Sequence, residues 1–160
     1  MNTVPVHAAA QPAVLYVVAT TTTGTEAALR VASTLARQRS ARLVLVVPQI
    51  GPPRGVEPSS SRTWSGAQHQ RMAARFNQRI DVIVSVGASV IDALRQHIPR
   101  GANTIVGGRH RWWWPEREER VAAALRRSGR HALFVPETAA AGIVAAQSRS
   151  DVSPAARLFL

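Results

Sequence analysis

Residues 14–35 read VLYVVATTTTGTEAALRVASTL, and this stretch decides the fold. It opens with a continuous apolar run, Val14–Val18, which is typical of a strand buried on both faces of a sheet. Four threonines and Gly24 follow. Apolar residues then recur at helical spacing: they are Ala27, Ala28, Val31, Ala32 and Leu35. A hydroxyl among residues 21–23 is expected to cap this helix, because it can accept hydrogen bonds from the free N–H groups of the first turn.

The alternation of strand and helix continues to about residue 135. Further buried strands are predicted at Leu43–Val47, Ile80–Val86, Thr104–Val106 and Ala132–Val135, and Pro48 is expected to stop the second strand. Helical patterns lie between them: weakly over 61–79, as a stripe of Val90, Ile91, Leu94 and Ile98, and over about 116–128. Because each parallel crossover needs a covering helix, this order predicts an α/β fold, a mostly parallel five-stranded sheet with helices on both faces.

Length and composition fit one domain. We interpret residues 1–12 as a loose arm, 13–137 as the domain and 138–160 as an alanine- and serine-rich tail without a clear place in the sheet. The net charge is +11, and all twenty basic residues are arginine. Such a charge could draw the protein towards nucleic acid or acidic surfaces.

The residue types needed for several kinds of chemistry are missing. The chain has no cysteine, which excludes disulfides, thiolate metal sites and thiol catalysis. His97 and His131 lack companions at metal-ligand spacing, and no serine lies in a nucleophile-elbow context. No apolar run approaches the roughly 20 residues of a membrane-spanning helix, and residues 1–12 do not resemble a secretory signal. The sequence therefore predicts a non-enzymatic, cytoplasmic protein without a metal.

Ligands of open α/β sheets bind beyond the carboxyl ends of the strands. The loops to consider are therefore 19–24, 48–50, 87–89 and 107–115. Thr20–Thr23 could line a cleft there, although helix capping is the simpler explanation for these threonines. In the loop 109–114, Arg109, His110 and Arg111 could meet a phosphate or acidic group while Trp112–Trp114 stack on a base or a partner surface. Alternatively, the tryptophans pack over the sheet edge and the arginines are solvated.

Several segments of the chain resemble the universal stress protein family. They are Leu15–Leu29, Ala41–Val47, the strand-glycine-helix passage from Val86 to Leu94, and Thr104–Val135, which together cover about residues 13–136. The resemblance implies a three-layer, doubly wound sheet of five parallel strands in the order 3-2-1-4-5, as in adenine nucleotide α-hydrolase-like proteins. It also implies a regulatory role in stress responses. The loop 108–114 is similar to the corresponding loop of the universal-stress-like domain in potassium-sensing histidine kinases, a regulatory insert.

Nucleotide-binding members of that family have an aspartate at the end of the first strand and a G-x-x-G-x9-G-[ST] loop around the phosphates. Here the aspartate position falls on Thr20, and only the first glycine is matched, by Gly108. The second glycine falls on Arg111, and the closing pair falls on Glu118 and Glu119, whose carboxylates would repel a triphosphate. The resemblance thus implies a degenerate nucleotide cleft with weak or lost ATP binding, formed by Thr20, Thr21, Val47, Gly107, Gly108, Arg109 and Arg111.

Two other interpretations stay open. Arginine side chains of the 109–111 loop could replace the glycine N–H contacts to a nucleotide, or the chain could be a nucleic-acid-binding module. The family resemblance also implies a homodimer through the last strand, whose residues are Ala132, Leu133, Phe134 and Val135. An apolar edge strand has unpaired backbone groups that must be protected by another strand or segment. The tail, which ends in Leu158-Phe159-Leu160, could supply this protection instead.

Overall fold

A computed structural model describes residues 13–51, 61–110 and 117–138, with side chains in the second range described from Gly66 onward. The predicted arm and all but the first residue of the predicted tail lie outside these ranges. The elements in chain order are β1 Val14–Val18, α1 Thr22–Arg39, β2 Arg42–Ile50, α2 Ser61–Ala73, β3 Ile80–Gly87, α3 Val90–His97, β4 Asn103–Gly108, α4 Arg117–Arg127 and β5 His131–Pro136.

The five strands form one parallel sheet in the order β3-β2-β1-β4-β5. β1 lies at its centre, where Val17 is in register with Leu45 of β2 on one side and with Ile105 of β4 on the other. The described helices cover both faces, which confirms the predicted three-layer α/β fold and its strand order. Within the described ranges, none of the helices combines the length and the apolar character needed to cross a bilayer.

Alternate residues along the strands pack into two separate hydrophobic cores, one on each face of the sheet. Leu15 and Val17 of β1 point towards α1 and α2, in a cluster that includes Leu29 and Met72. Val18 points to the opposite face, where the core contains Leu94 and Ile98 of the α3 region and Ala122 and Leu125 of α4. Because both faces are covered, β1 and the middle of β2 are apolar at successive positions, which is why they read as continuous runs in the sequence.

The prediction that Pro48 stops the second strand was wrong. β2 continues to Ile50, with Pro48 in register with Ser85 of β3. The carbonyl of Val46 accepts a hydrogen bond from the N–H of Ala19 and therefore points towards β1. Pro48 points the same way, two residues later, where β1 has already ended at Val18. Its missing N–H thus removes no bond from the ladder, which is the condition for proline within a strand.

Candidate functional site

A cleft opens at the carboxyl end of the sheet, beside the central strands. Its volume is about 230 Å³, and it lies where the chain leaves β1 and β4 towards helices on opposite faces, the usual ligand position in this architecture. The residues that line it are Val18, Ala19, Thr20, Thr21, Pro48, Val90, Arg117, Glu118 and Val121. The cleft is smaller than most small-molecule pockets, which run from roughly 300 to 1,000 Å³.

Thr20, at the position of the family's nucleoside-binding aspartate, is used to hold two strands together. Its hydroxyl donates to the carbonyl of Gly107 at the end of β4, at 2.7 Å, and its N–H donates to the hydroxyl of Thr25 at 2.9 Å. Both groups are therefore engaged inside the protein. Thr20 borders the cleft, but its hydroxyl proton is already committed to Gly107.

Thr21 caps α1, as predicted for one of the threonines. Its hydroxyl oxygen accepts from the N–H of Gly24 at 3.1 Å. The hydroxyls of Thr21 and Thr23 also donate to one carboxylate oxygen of Glu137, at 3.0 and 2.8 Å. A carboxylate of the protein itself thus lies at the start of α1, where the partial positive charge of the helix favours an anion.

Sequence reasoning missed Glu137. This residue follows β5, and parallel strands end at the same edge of the sheet, so its position after the last strand was an available signal. Its second carboxylate oxygen lies 3.8 Å from the Nε of Arg109. Arg109, one of the arginines predicted to bind a phosphate, is therefore paired with a carboxylate of the protein itself. Its side chain nevertheless remains 70% exposed. Arg111 and Trp112–Trp114 lie outside the described residues.

The two predicted glycines serve packing. A Cβ on Gly107 would overlap the carbonyl oxygen of Gly24 and would lie 2.8 Å from its carbonyl carbon, so the end of β4 and the start of α1 touch backbone to backbone. A Cβ on Gly108 would lie 2.6 Å from the Cβ of Glu118 in the first turn of α4. The side chain of Glu118 therefore covers the glycine that would have to expose its N–H group to a phosphate in the family's loop.

The neighbouring glutamates turn to different partners. Glu118 lines the cleft, whereas Glu119 bonds through its carboxylate to the Nδ1 of His110. The His110 ring also lies near Phe134 of β5, with ring centroids 6.5 Å apart and planes tilted by 51°. The carboxylate of Glu119, nine residues along the chain, thus orients the His110 ring.

The remaining predicted positions are not brought to the cleft. Val47 lies in the core on the α1 side of the sheet, 3% exposed, and does not line the cleft. His97 and His131 are exposed near the opposite end of the sheet, where α3 ends and β5 begins. Across the residues that the structure describes, no group of three or more histidine, aspartate or glutamate side chains could hold a metal ion.

Scanned against models of known protein families, the chain matches none, and a search of curated proteins gives no match either. The geometry is therefore the guide to function. It is a small cleft at the usual ligand position of the fold, bordered by one cationic residue, Arg117, by one acidic residue, Glu118, and by hydroxyls that bond within the protein.

Proposed function

We propose that the chain is a cytoplasmic regulatory protein of the universal stress type, without catalysis, that pairs as a homodimer through β5 and does not hold ATP in the pose usual for that family. The fold and strand order are those that the resemblance implied. The main support for the loss of ATP binding is the pair of carboxylates at the carboxyl edge of the sheet, Glu118 in the cleft and Glu137 at the start of α1.

These carboxylates would raise the free energy of a bound triphosphate in two ways. Each adds a like charge near the phosphates, and Glu137 also uses the two hydroxyls and the guanidinium that a phosphate would need. The alternative in which arginine side chains bind the nucleotide is weakened by the same contact, because Arg109 would have to leave Glu137.

Isothermal titration calorimetry with ATP tests this proposal. We expect no binding at micromolar concentrations to the wild-type protein. The double variant Glu118→Gln/Glu137→Gln should bind ATP at least about tenfold more tightly, since removing two like charges from the edge lowers the repulsion by ~1.4 kcal/mol or more. The control Glu26→Gln/Asp81→Asn changes the net charge equally at residues that do not line the cleft, and it should leave the affinity unchanged.

One result would overturn the proposal in favour of a nucleotide-binding protein. This would be micromolar ATP binding by the wild type that disappears in an Arg109→Ala/Arg111→Ala variant. A mass spectrum of small molecules released from the purified protein gives an independent readout, and recovery of a nucleoside triphosphate would contradict the proposal as well.

A further inference from the structure

The amino end of the sheet, opposite the cleft, carries a cluster of cationic side chains held on two joined turns. The turn from α3 to β4 and the turn from α4 to β5 are linked by backbone hydrogen bonds. The N–H of Gly101 donates to the carbonyl of Gly129 at 2.7 Å, and the N–H of His131 donates to the carbonyl of Ala102 at 3.0 Å. Arginines that are distant in the sequence are thereby brought to one surface.

Arg130 lies beneath this surface and is only 7% exposed. Its guanidinium donates to the carbonyls of Ile98 at 2.7 Å, Ser128 at 3.1 Å and Arg95 at 3.4 Å, and to the hydroxyl of Ser128 at 2.9 Å. These are the carbonyls at the ends of α3 and α4, which have no partner within their own helices. Among the described residues, no carboxylate pairs with Arg130.

The electrostatic surroundings of Arg130 are positive. Burial, followed by the charges of Arg95 and Arg100, lowers the pKa of the Arg130 guanidinium from its ordinary value. Arg126 and Arg127 are exposed and donate to the carbonyls of Ala132 at 3.0 Å and Ala123 at 3.4 Å. Within the described ranges, Arg100, Arg126 and Arg127 have no carboxylate within ion-pair distance. Cations near helix ends stabilise the helix dipole. Arg95 lies 3.9 Å from the carboxylate of Asp92, and among the described residues this is the one ion pair that opposes the mutual repulsion of the cluster.

An open depression of about 620 Å³ adjoins the cluster. The residues that line it include Asn103, Arg126, Arg130 and His131. The volume falls in the range of pockets that hold a small organic ligand. An acidic peptide could bind to the arginines alone. A nucleotide could bind the arginines through its phosphate and the depression through its base, so the presence of the depression favours a nucleotide.

We propose that this basic face binds the phosphodiester backbone of single-stranded nucleic acid, with arginines on the phosphates and one base in the depression. Arginine suits the role because its planar fork can bind two phosphate oxygens together. The site does not depend on what the cleft binds, because the two lie at opposite ends of the sheet. Its depression is lined in part by His131, Ala132 and Leu133 of β5, so a base in the depression and a second copy on β5 would exclude one another.

Fluorescence anisotropy with a labelled oligouridylate, measured over a range of salt concentrations, tests the proposal. The variant Arg100→Gln/Arg127→Gln removes two surface charges and leaves Arg130 in place; neither residue belongs to β5. We expect its affinity to fall at least about tenfold. We also expect the slope of log K against log salt to become shallower by about 1.4, since each phosphate contact on a single strand contributes roughly 0.7.

The matched control is Arg75→Gln/Arg79→Gln, which removes the same net charge from the α2 side of the molecule, where these residues pair with Glu26 and Asp81. It should keep the wild-type slope. Three results would overturn the proposal: no binding by the wild type, equal weakening in both variants, or binding of polyglutamate as tightly as of the oligonucleotide. Unchanged urea midpoints for both variants would show that the comparison concerns folded protein.

Discussion

The hydroxyl of Thr20 donates a hydrogen bond to the carbonyl of Gly107 at 2.7 Å and so joins the ends of β1 and β4, 87 residues apart in the sequence. The two strands are neighbours at the centre of the sheet, and the bond lies at the border of the cleft. A position that contacts nucleoside in the resembled family is thus occupied here by a side chain that connects strands.

Replacement of this side chain should lower stability. Thr20→Val keeps the shape of the residue but removes the donor, which leaves the Gly107 carbonyl without this partner; we expect a loss of about 1–2 kcal/mol in the free energy of unfolding. Thr20→Ser keeps the hydroxyl and should stay within about 0.5 kcal/mol of the wild type. Urea denaturation measures both. A loss in Thr20→Ser with none in Thr20→Val would show that the methyl group, and not the hydrogen bond, matters.

Arg130 is expected to be one of the most sensitive charged residues of the domain. Arg130→Met would remove four hydrogen bonds from the ends of α3 and α4. It would also remove the unfavourable burial of a charge, so we expect a net loss of only ~2 kcal/mol. Arg127→Met is the control, because Arg127 is exposed and makes one long bond of 3.4 Å; it should change stability by less than about 0.5 kcal/mol. A stable Arg130→Met variant would refute this role.

Acid should weaken the contact between Asp81 and its arginine partners. The Arg42 guanidinium donates to the Asp81 carboxylate at 2.7 Å, and this bond, opposed by burial and supported by the charges of Arg42 and Arg79, holds the pKa of Asp81 below its ordinary 3.8. Because the folded pKa is the lower one, the stabilisation is fully present above the unfolded value and is lost as the pH falls through the folded value.

Asp81→Asn should therefore be less stable than the wild type at pH 7, by up to about 1 kcal/mol for such an exposed pair. The difference should shrink below about pH 4, where the wild-type carboxyl takes up its proton. Urea midpoints at neutral and acid pH provide the measurement. A difference that stays constant with pH would mean that the substitution acts through something other than the charge.

The proposed dimer makes a prediction about the edge strand. Leu133 lies in the middle of β5, which has only β4 beside it among the described strands, and it is 51% exposed. In sedimentation experiments, Leu133→Glu should convert a dimer to a monomer, since a charge in the middle of an edge strand opposes pairing. Ile50→Glu, at an apolar residue of β2 that is 59% exposed, is the control and should remain dimeric. A wild type that is monomeric at high concentration would contradict the dimer.

Much of the fold could be predicted because it depends on periodicity. Runs such as Val14–Val18 are apolar at every position only when both faces of a strand are covered, and this property is visible without any knowledge of the partners. The error at Pro48 had a different origin. Whether a missing N–H disrupts a strand depends on what lies opposite, and the early end of β1 at Val18 decides that.

For the site, the sequence by itself determined which residue types stand where phosphate-binding groups would be needed: a threonine at position 20, and carboxylates at 118 and 119. Only the tertiary structure decided their partners. Glu137 meets the hydroxyls of Thr21 and Thr23 across more than a hundred residues of chain. Hydrogen bonds form between groups that are close in space, and local periodicity carries no information about which distant side chains the sheet brings to the same edge.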